Sequence, residues 1–162
     1  MRLEVSQSVA APPQVVWDVL VSWEQQPEWM LDAKDVEVVT PYREGEGVTI
    51  RVPTNLLGVT VEDVMRVTAW REPELLEVEH LGRLIRGSGA FKLQPEENGR
   101  TRLVWDERIV PPLGRLGEWG ASTLVEPIIR RIFQRSLRNL AGLAEDEAAR
   151  RGAPQSLYRC WG

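Results

Sequence analysis

Leu124-Val125-Glu126-Pro127-Ile128-Ile129-Arg130-Arg131-Ile132-Phe133-Gln134-Arg135-Ser136-Leu137-Arg138-Asn139-Leu140-Ala141-Gly142-Leu143 is the stretch that decides the fold. Its apolar residues return at i, i+3, i+4 and i+7, the spacing of an amphipathic helix with a face wide enough to lie on a sheet. Arg130, Arg131, Gln134, Arg135 and Arg138 fall largely on the other face. The helical reading extends from about Leu113 to Arg150, a rod of roughly 50 Å at ~1.5 Å per residue. Pro127 removes the hydrogen bond to residue 123 and crowds that turn, so a kink is expected between Thr123 and Pro127. Gly114, Gly117 and Gly120 loosen the segment before it. A mobile Leu113–Glu126 section would serve as a gate over a sheet; a bend that only follows sheet curvature is the plainer expectation.

Upstream of this helix the chain reads mainly as strands. Leu3, Val5, Gln7 and Val9 alternate with Glu4, Ser6 and Ser8, the pattern of a half-buried strand. Pro12-Pro13 then opens a short helix to about Val21. Ser22 introduces a second from Trp23 to Met30, where Pro27 favours a broken or 3₁₀ turn. Strands are expected over 36–40, 48–52, 59–70, 75–81, 84–93 and 101–110. In the 59–70 strand, Val59, Val61, Asp63, Met65, Val67 and Ala69 would share a face. Pro53 to Gly58 reads as a loop, and Pro95 to Gly99 as a hairpin loop with Asn98-Gly99 as a type I′ signal. Connectors this short favour an antiparallel meander.

Composition narrows the function classes. The chain has 162 residues, 43% apolar and 27% charged, enough for one domain with a substantial core. A net charge of −4 gives no general attraction to nucleic acid or anionic membrane. Cys160 is the only cysteine and His80 the only histidine. No disulfide framework, thiolate metal cluster or His-rich metal site is therefore expected, and no cofactor. The first residues lack the apolar core of a signal peptide, and no stretch reads as a membrane span, so a cytoplasmic protein is the default expectation.

Together the elements predict an α+β helix-grip fold. A curved antiparallel sheet of about seven strands would wrap a long C-terminal helix, with two short helices after the first strand. Residues 1–150 would form one domain, followed by a tail over 151–162. Ala11-Pro12-Pro13-Gln14-Val15-Val16-Trp17, the Trp23–Trp29 segment, Gly87-Ser88-Gly89-Ala90-Phe91-Lys92-Leu93, the hairpin Gly99-Arg100-Thr101-Arg102-Leu103, and Phe133, Leu137 and Leu140 of the helix carry a family resemblance. From Val5 to about Leu143 the chain resembles the START/Bet v 1-like (SRPBCC) helix-grip superfamily, in its bacterial polyketide cyclase/dehydrase and lipid-transport group. The resemblance implies a deep apolar cavity between sheet and helix. It implies no single activity, because the superfamily includes cyclases, hydratases, lipid carriers, hormone sensors and quinone-binding proteins.

On that expectation, Val61, Met65, Val78, Phe91, Trp105, Ile128, Ile132 and Phe133 are the candidate lining of a pocket for a small hydrophobic ligand such as a polyketide, lipid or isoprenoid. Polar residues on otherwise apolar faces are the candidates for chemistry. Asp63 lies between Val61 and Met65, His80 follows Leu76 and Val78, and Glu107 lies between Trp105 and Ile109. Facing a cavity, these three would serve a cyclase or dehydratase as acid/base groups. A slipped register would instead pair the carboxylates with Arg66, Arg86 or Arg108, and leave His80 capping a strand end. The helix arginines are expected to be a solvated face, with a phosphate or acidic protein partner as the alternative. Gly87-x-Gly89 inside a strand marks a bend, a bulge or a close approach of the long helix. The apolar end of the tail, Leu157 to Trp161, would dock on the body, on a second copy to give a homodimer, or over the cavity mouth, or else stay disordered.

Overall fold

The computed structural model describes residues 1–56, 58–110 and 125–152. The elements run β1 (Arg2–Val9), α1 (Pro13–Leu20), a 3₁₀ turn (Trp23–Glu28), β2 (Glu37–Val38), β3 (Thr49–Leu56), β4 (Val59–Arg71), β5 (Leu75–Leu81), β6 (Arg86–Glu96), β7 (Arg100–Ile109) and α2 (Glu126–Gly152). The strands form one antiparallel sheet in the order β1-β7-β6-β5-β4-β3-β2. Strands β2 to β7 are thus a meander, and β1 returns to the edge beside β7. This seven-stranded curved sheet with a long C-terminal helix is the helix-grip fold.

The helix crosses the concave face and packs on β1 and α1. Phe133, Ser136, Leu137, Leu140, Ala141 and Ala144 are its buried stripe. Polar contacts fix its position. Ser136 Oγ accepts the Leu31 backbone N–H, Gln134 donates to the Ser6 carbonyl, and Asn139 donates to the Trp29 carbonyl. Leu3, Val9, Val16, Trp17, Leu20, Leu76 and Leu103 fill the space beneath. Pro127 falls in the first turn of α2, where a missing N–H costs little. The kink and mobile section expected before it lie largely in residues 111–124, outside the described residues, as does the tail expected over 151–162 except for Arg151 and Gly152, which close α2.

Four local expectations are corrected. Strand β3 runs through Pro53 to Leu56: beyond the short β2 pairing, residues 32–34 cover this edge through an Ala33–Thr54 bridge, and Pro53 takes part only as an acceptor, its carbonyl receiving the Lys34 N–H at 3.0 Å, so the missing N–H is not needed. The loop between β6 and β7 holds three residues, Glu97 to Gly99, fewer than the expected 95–99, while Asn98 and Gly99 both take the positive φ that the type I′ signal calls for. The segment after Ser22 is the 3₁₀ turn that Pro27 favours, and it ends at Glu28, short of the expected Met30. The single-face reading of the β4 strand fails at a bulge between Val67 and Ala69. The extra residue reverses the alternation, so Trp70 turns inward instead of Ala69. Its ring meets Trp17 edge-on at 5.1 Å and Trp23 at 6.3 Å.

Candidate functional site

Register sets the polar residues of the concave face. Met65 on β4 pairs with His80 on β5, which puts Asp63 diagonally across from the histidine. His80 in turn pairs with Gly87 on β6, and Gly89 pairs with both Val78 and Glu107. Within β7, Glu107 faces inward while Asp106 faces out and is gripped by Arg2 at 2.8 and 3.1 Å. Asp63, His80 and Glu107 therefore share the inner face of three different strands.

They form one hydrogen-bonded chain. His80 Nδ1 lies 2.8 Å from Asp63 Oδ2, and Nε2 lies 2.7 Å from Glu107 Oε1. Trp105 Nε1 donates to the other Glu107 oxygen at 2.9 Å. His80 and Glu107 sit two strands apart, on the order of 10 Å between backbones at roughly 4.8 Å per strand. They meet because β6 carries glycine between them. A Cβ on Gly89 would stand 2.6 Å from Glu107 Oε2 and 3.3 Å from a Val78 methyl. The Gly87-x-Gly89 motif thus marks a close approach of a side chain, with Gly89 vacating the space that Glu107 crosses.

An ionised carboxylate only accepts, so a ring held between two of them donates from both nitrogens and is an imidazolium. Burial works against the charged ring, but the hydrogen bonds and charges of Asp63 and Glu107 outweigh it and raise the His80 pKa from 6.5 to about 10. Both carboxylates are buried, Asp63 3% and Glu107 4% exposed. Asp32 is a fourth titratable group nearby, in the bridge that leads to β2. Burial raises its pKa from 3.8 to about 6, its backbone hydrogen bond opposes this, and the charges of Glu107 and Asp63 add to it. Asp32 Oδ1 and Asp63 Oδ1 are both shielded from solvent and have no hydrogen-bond partner among the described residues. Sequence reasoning missed Asp32, which follows Trp29-Met30-Leu31 in a segment with no strand or helix period.

The chain of polar groups lines a cavity of about 270 Å³ between sheet and helix. Met65, Val78, Phe91, Trp105, Ile132 and Phe133 of the expected lining are on its wall, as are Asp63, His80, Glu107 and Asp32. Phe133 stacks on Trp105 with centroids 4.0 Å apart and planes within 6°. Phe91 leans on the same indole at 4.9 Å. Two expected residues are not on the wall. Val61 is half-buried, one pleat nearer the hairpin at Gly58. Ile128 is 45% exposed, and Ile129 lines the cavity in its place. Ile128 shares its stripe with Arg131 and Arg135, three and seven residues on, which turns it to solvent. Arg130, Arg131, Arg135 and Arg138 are all exposed, with Arg130 bonded to Glu126 and to the Glu4 carbonyl. Among the described residues no acidic, histidine and cysteine groups are arranged to hold a metal ion, and no helix is long and apolar enough to cross a membrane.

Known proteins share this architecture. A protein of Thermus thermophilus superposes with a TM-score of 0.77 at 18% identity, covering 91% of this chain and 99% of its own. An aromatase/cyclase, Zhui, from Streptomyces sp. R1128 gives 0.65 at 22% identity, covering 94% and 96%. A START superfamily protein of Mycobacterium smegmatis gives 0.64 at 15%, covering 92% and 97%. At these identities the likeness is one of fold. No protein of curated function matches the chain. The family described as polyketide cyclase / dehydrase and lipid transport matches residues 1–145, and the chain therefore belongs to that family.

Proposed function

We propose that the protein binds one small hydrophobic molecule, of polyketide, lipid or isoprenoid type, in the cavity between sheet and α2. The observation that carries this reading is a largely apolar, aromatic-walled cavity with its polar groups gathered in one chain, Asp63–His80–Glu107. The aromatic wall would bury the ligand body and the polar chain would fix its orientation. Family membership supports the same class of ligand. Nile red, a neutral apolar fluorophore, is expected to bind saturably at one per chain. Ile129→Trp, which fills the cavity from the helix side, is expected to abolish binding while the protein stays folded. Unsaturable uptake, or binding indifferent to Ile129→Trp, would contradict the reading.

The polar chain favours a second reading, conversion of the ligand by proton transfer. An imidazolium flanked by two carboxylates beside an apolar body could supply a proton to a carbonyl oxygen, with Glu107 or Asp63 taking one from carbon, as cyclisation or dehydration requires. Once the bound molecule is identified, turnover by a stable Glu107→Gln variant at the wild-type rate would remove that role for Glu107.

A further inference from the structure

The polar end of the cavity has a chemical preference. Its one cation among the described residues, His80, has both ring nitrogens engaged, at 2.8 Å by Asp63 and 2.7 Å by Glu107. No N–H of that ring is left to receive an anion. Among the described residues no lysine or arginine lines the cavity. The indole N–H of Trp105 is taken by Glu107, and the Thr54 hydroxyl donates to the Val52 carbonyl. Asn55 is the remaining side-chain donor and sits exposed at the rim, its carbonyl oxygen accepting the Gly58 N–H.

What the wall does offer is acceptors. Asp63 is 97% buried, one of its oxygens bound to His80 and the other, Oδ1, without a partner. Asp32 Oδ1 is in the same state. With three carboxyls and one imidazolium, the polar end is net negative when the acids are ionised. A shielded carboxylate oxygen without a protein partner is costly, and a hydrogen bond from a bound donor would offset that cost. A carboxylate or phosphate brought to the same place would meet like charge with no donor to receive it.

We propose that the cavity, read as a hydrophobic-ligand site, selects amphiphiles whose polar pole donates hydrogen bonds and carries no negative charge, an amine or hydroxyl, and rejects those ending in carboxylate or phosphate. Asp63 Oδ1 and Asp32 are the recognising acceptors. Four probes with one naphthalene body separate pole from body: 2-naphthylmethylamine, 2-naphthalenemethanol, 2-naphthoate and 2-methylnaphthalene, titrated at pH 7.5 by calorimetry or tryptophan quenching. The amine and alcohol are expected to bind at least tenfold more tightly than the carboxylate, with the hydrocarbon between. Asp63→Asn, and independently Asp32→Asn, are expected to shrink the amine-to-carboxylate ratio at least fivefold while the hydrocarbon binds as before. Equal binding of all four, or tighter binding of 2-naphthoate, would overturn the selectivity and leave the cavity reading standing. Failure of every probe, hydrocarbon included, would overturn both.

Discussion

Raising the pH from 6.5 to 8.5 is expected to weaken the fold by about 2–3 kcal/mol, and the loss is assigned to one residue. His80 titrates near 6.5 when unfolded and at about 10 in the folded protein, where it lies between Asp63 and Glu107. A folded pKa raised above the unfolded value gives stability that is complete below pH 6.5 and drains away as pH rises toward 10. In that window the folded state holds one proton more than the unfolded state, a slope of about −1.4 kcal/mol per pH unit. Asp32 has the same sign, but its window runs from 3.8 to about 6 and closes before this one opens. Urea unfolding followed by tryptophan fluorescence, at half-unit steps from pH 6 to 8.5, gives the slope directly. Because His80 is the only histidine, its imidazole resonances can be followed by NMR in the same range without assignment. Stability that is flat or rises with pH, with a ring that titrates near 6.5, would refute the buried imidazolium.

Other perturbations separate the parts of the site. Gly89→Ala puts a methyl 2.6 Å from Glu107 Oε2, so it is expected to cost about 1–3 kcal/mol and to lower the His80 pKa, read by the same NMR titration. Asp32→Asn removes a carboxyl whose shielded Oδ1 lacks a partner among the described residues, and is expected to raise the urea midpoint at pH 7 and to erase the fall in stability between pH 4 and 6 that this group causes. Phe133→Ala deletes the ring stacked on Trp105 and is expected to destabilise by about 3 kcal/mol, with a change in tryptophan emission. Arg131→Glu with Arg135→Glu, on the exposed face of α2, should change stability by no more than about 0.5 kcal/mol. A larger loss would give those arginines a structural role that their exposure does not suggest.

Much of this architecture is legible in the sequence, for local reasons. The stripe through Phe133, Leu137 and Leu140 and the alternation in β1, β5 and β7 each arise from one element's own periodicity. Asp63, His80 and Glu107 stand out because each interrupts an apolar face. That they form one chain is not legible. It depends on strand order, on the pairing of Gly89 with Glu107, and on the empty space above that glycine. Asp32 is hidden because the bridge before β2 has no period to interrupt. The bulge that brings Trp70 inward adds one residue without a glycine or proline to announce it. Ile128 was readable after all, since its helical neighbours at i+3 and i+7 are arginines.

The central claim is that the cavity exists to hold a small apolar molecule. Native mass spectrometry of freshly purified protein, followed by solvent extraction and identification of what is released, tests it most directly. One apolar molecule per chain is expected, lost from Ile129→Trp, with an amine or hydroxyl as its polar end. An empty protein that no lipid, quinone or polyketide stabilises against heat would contradict it.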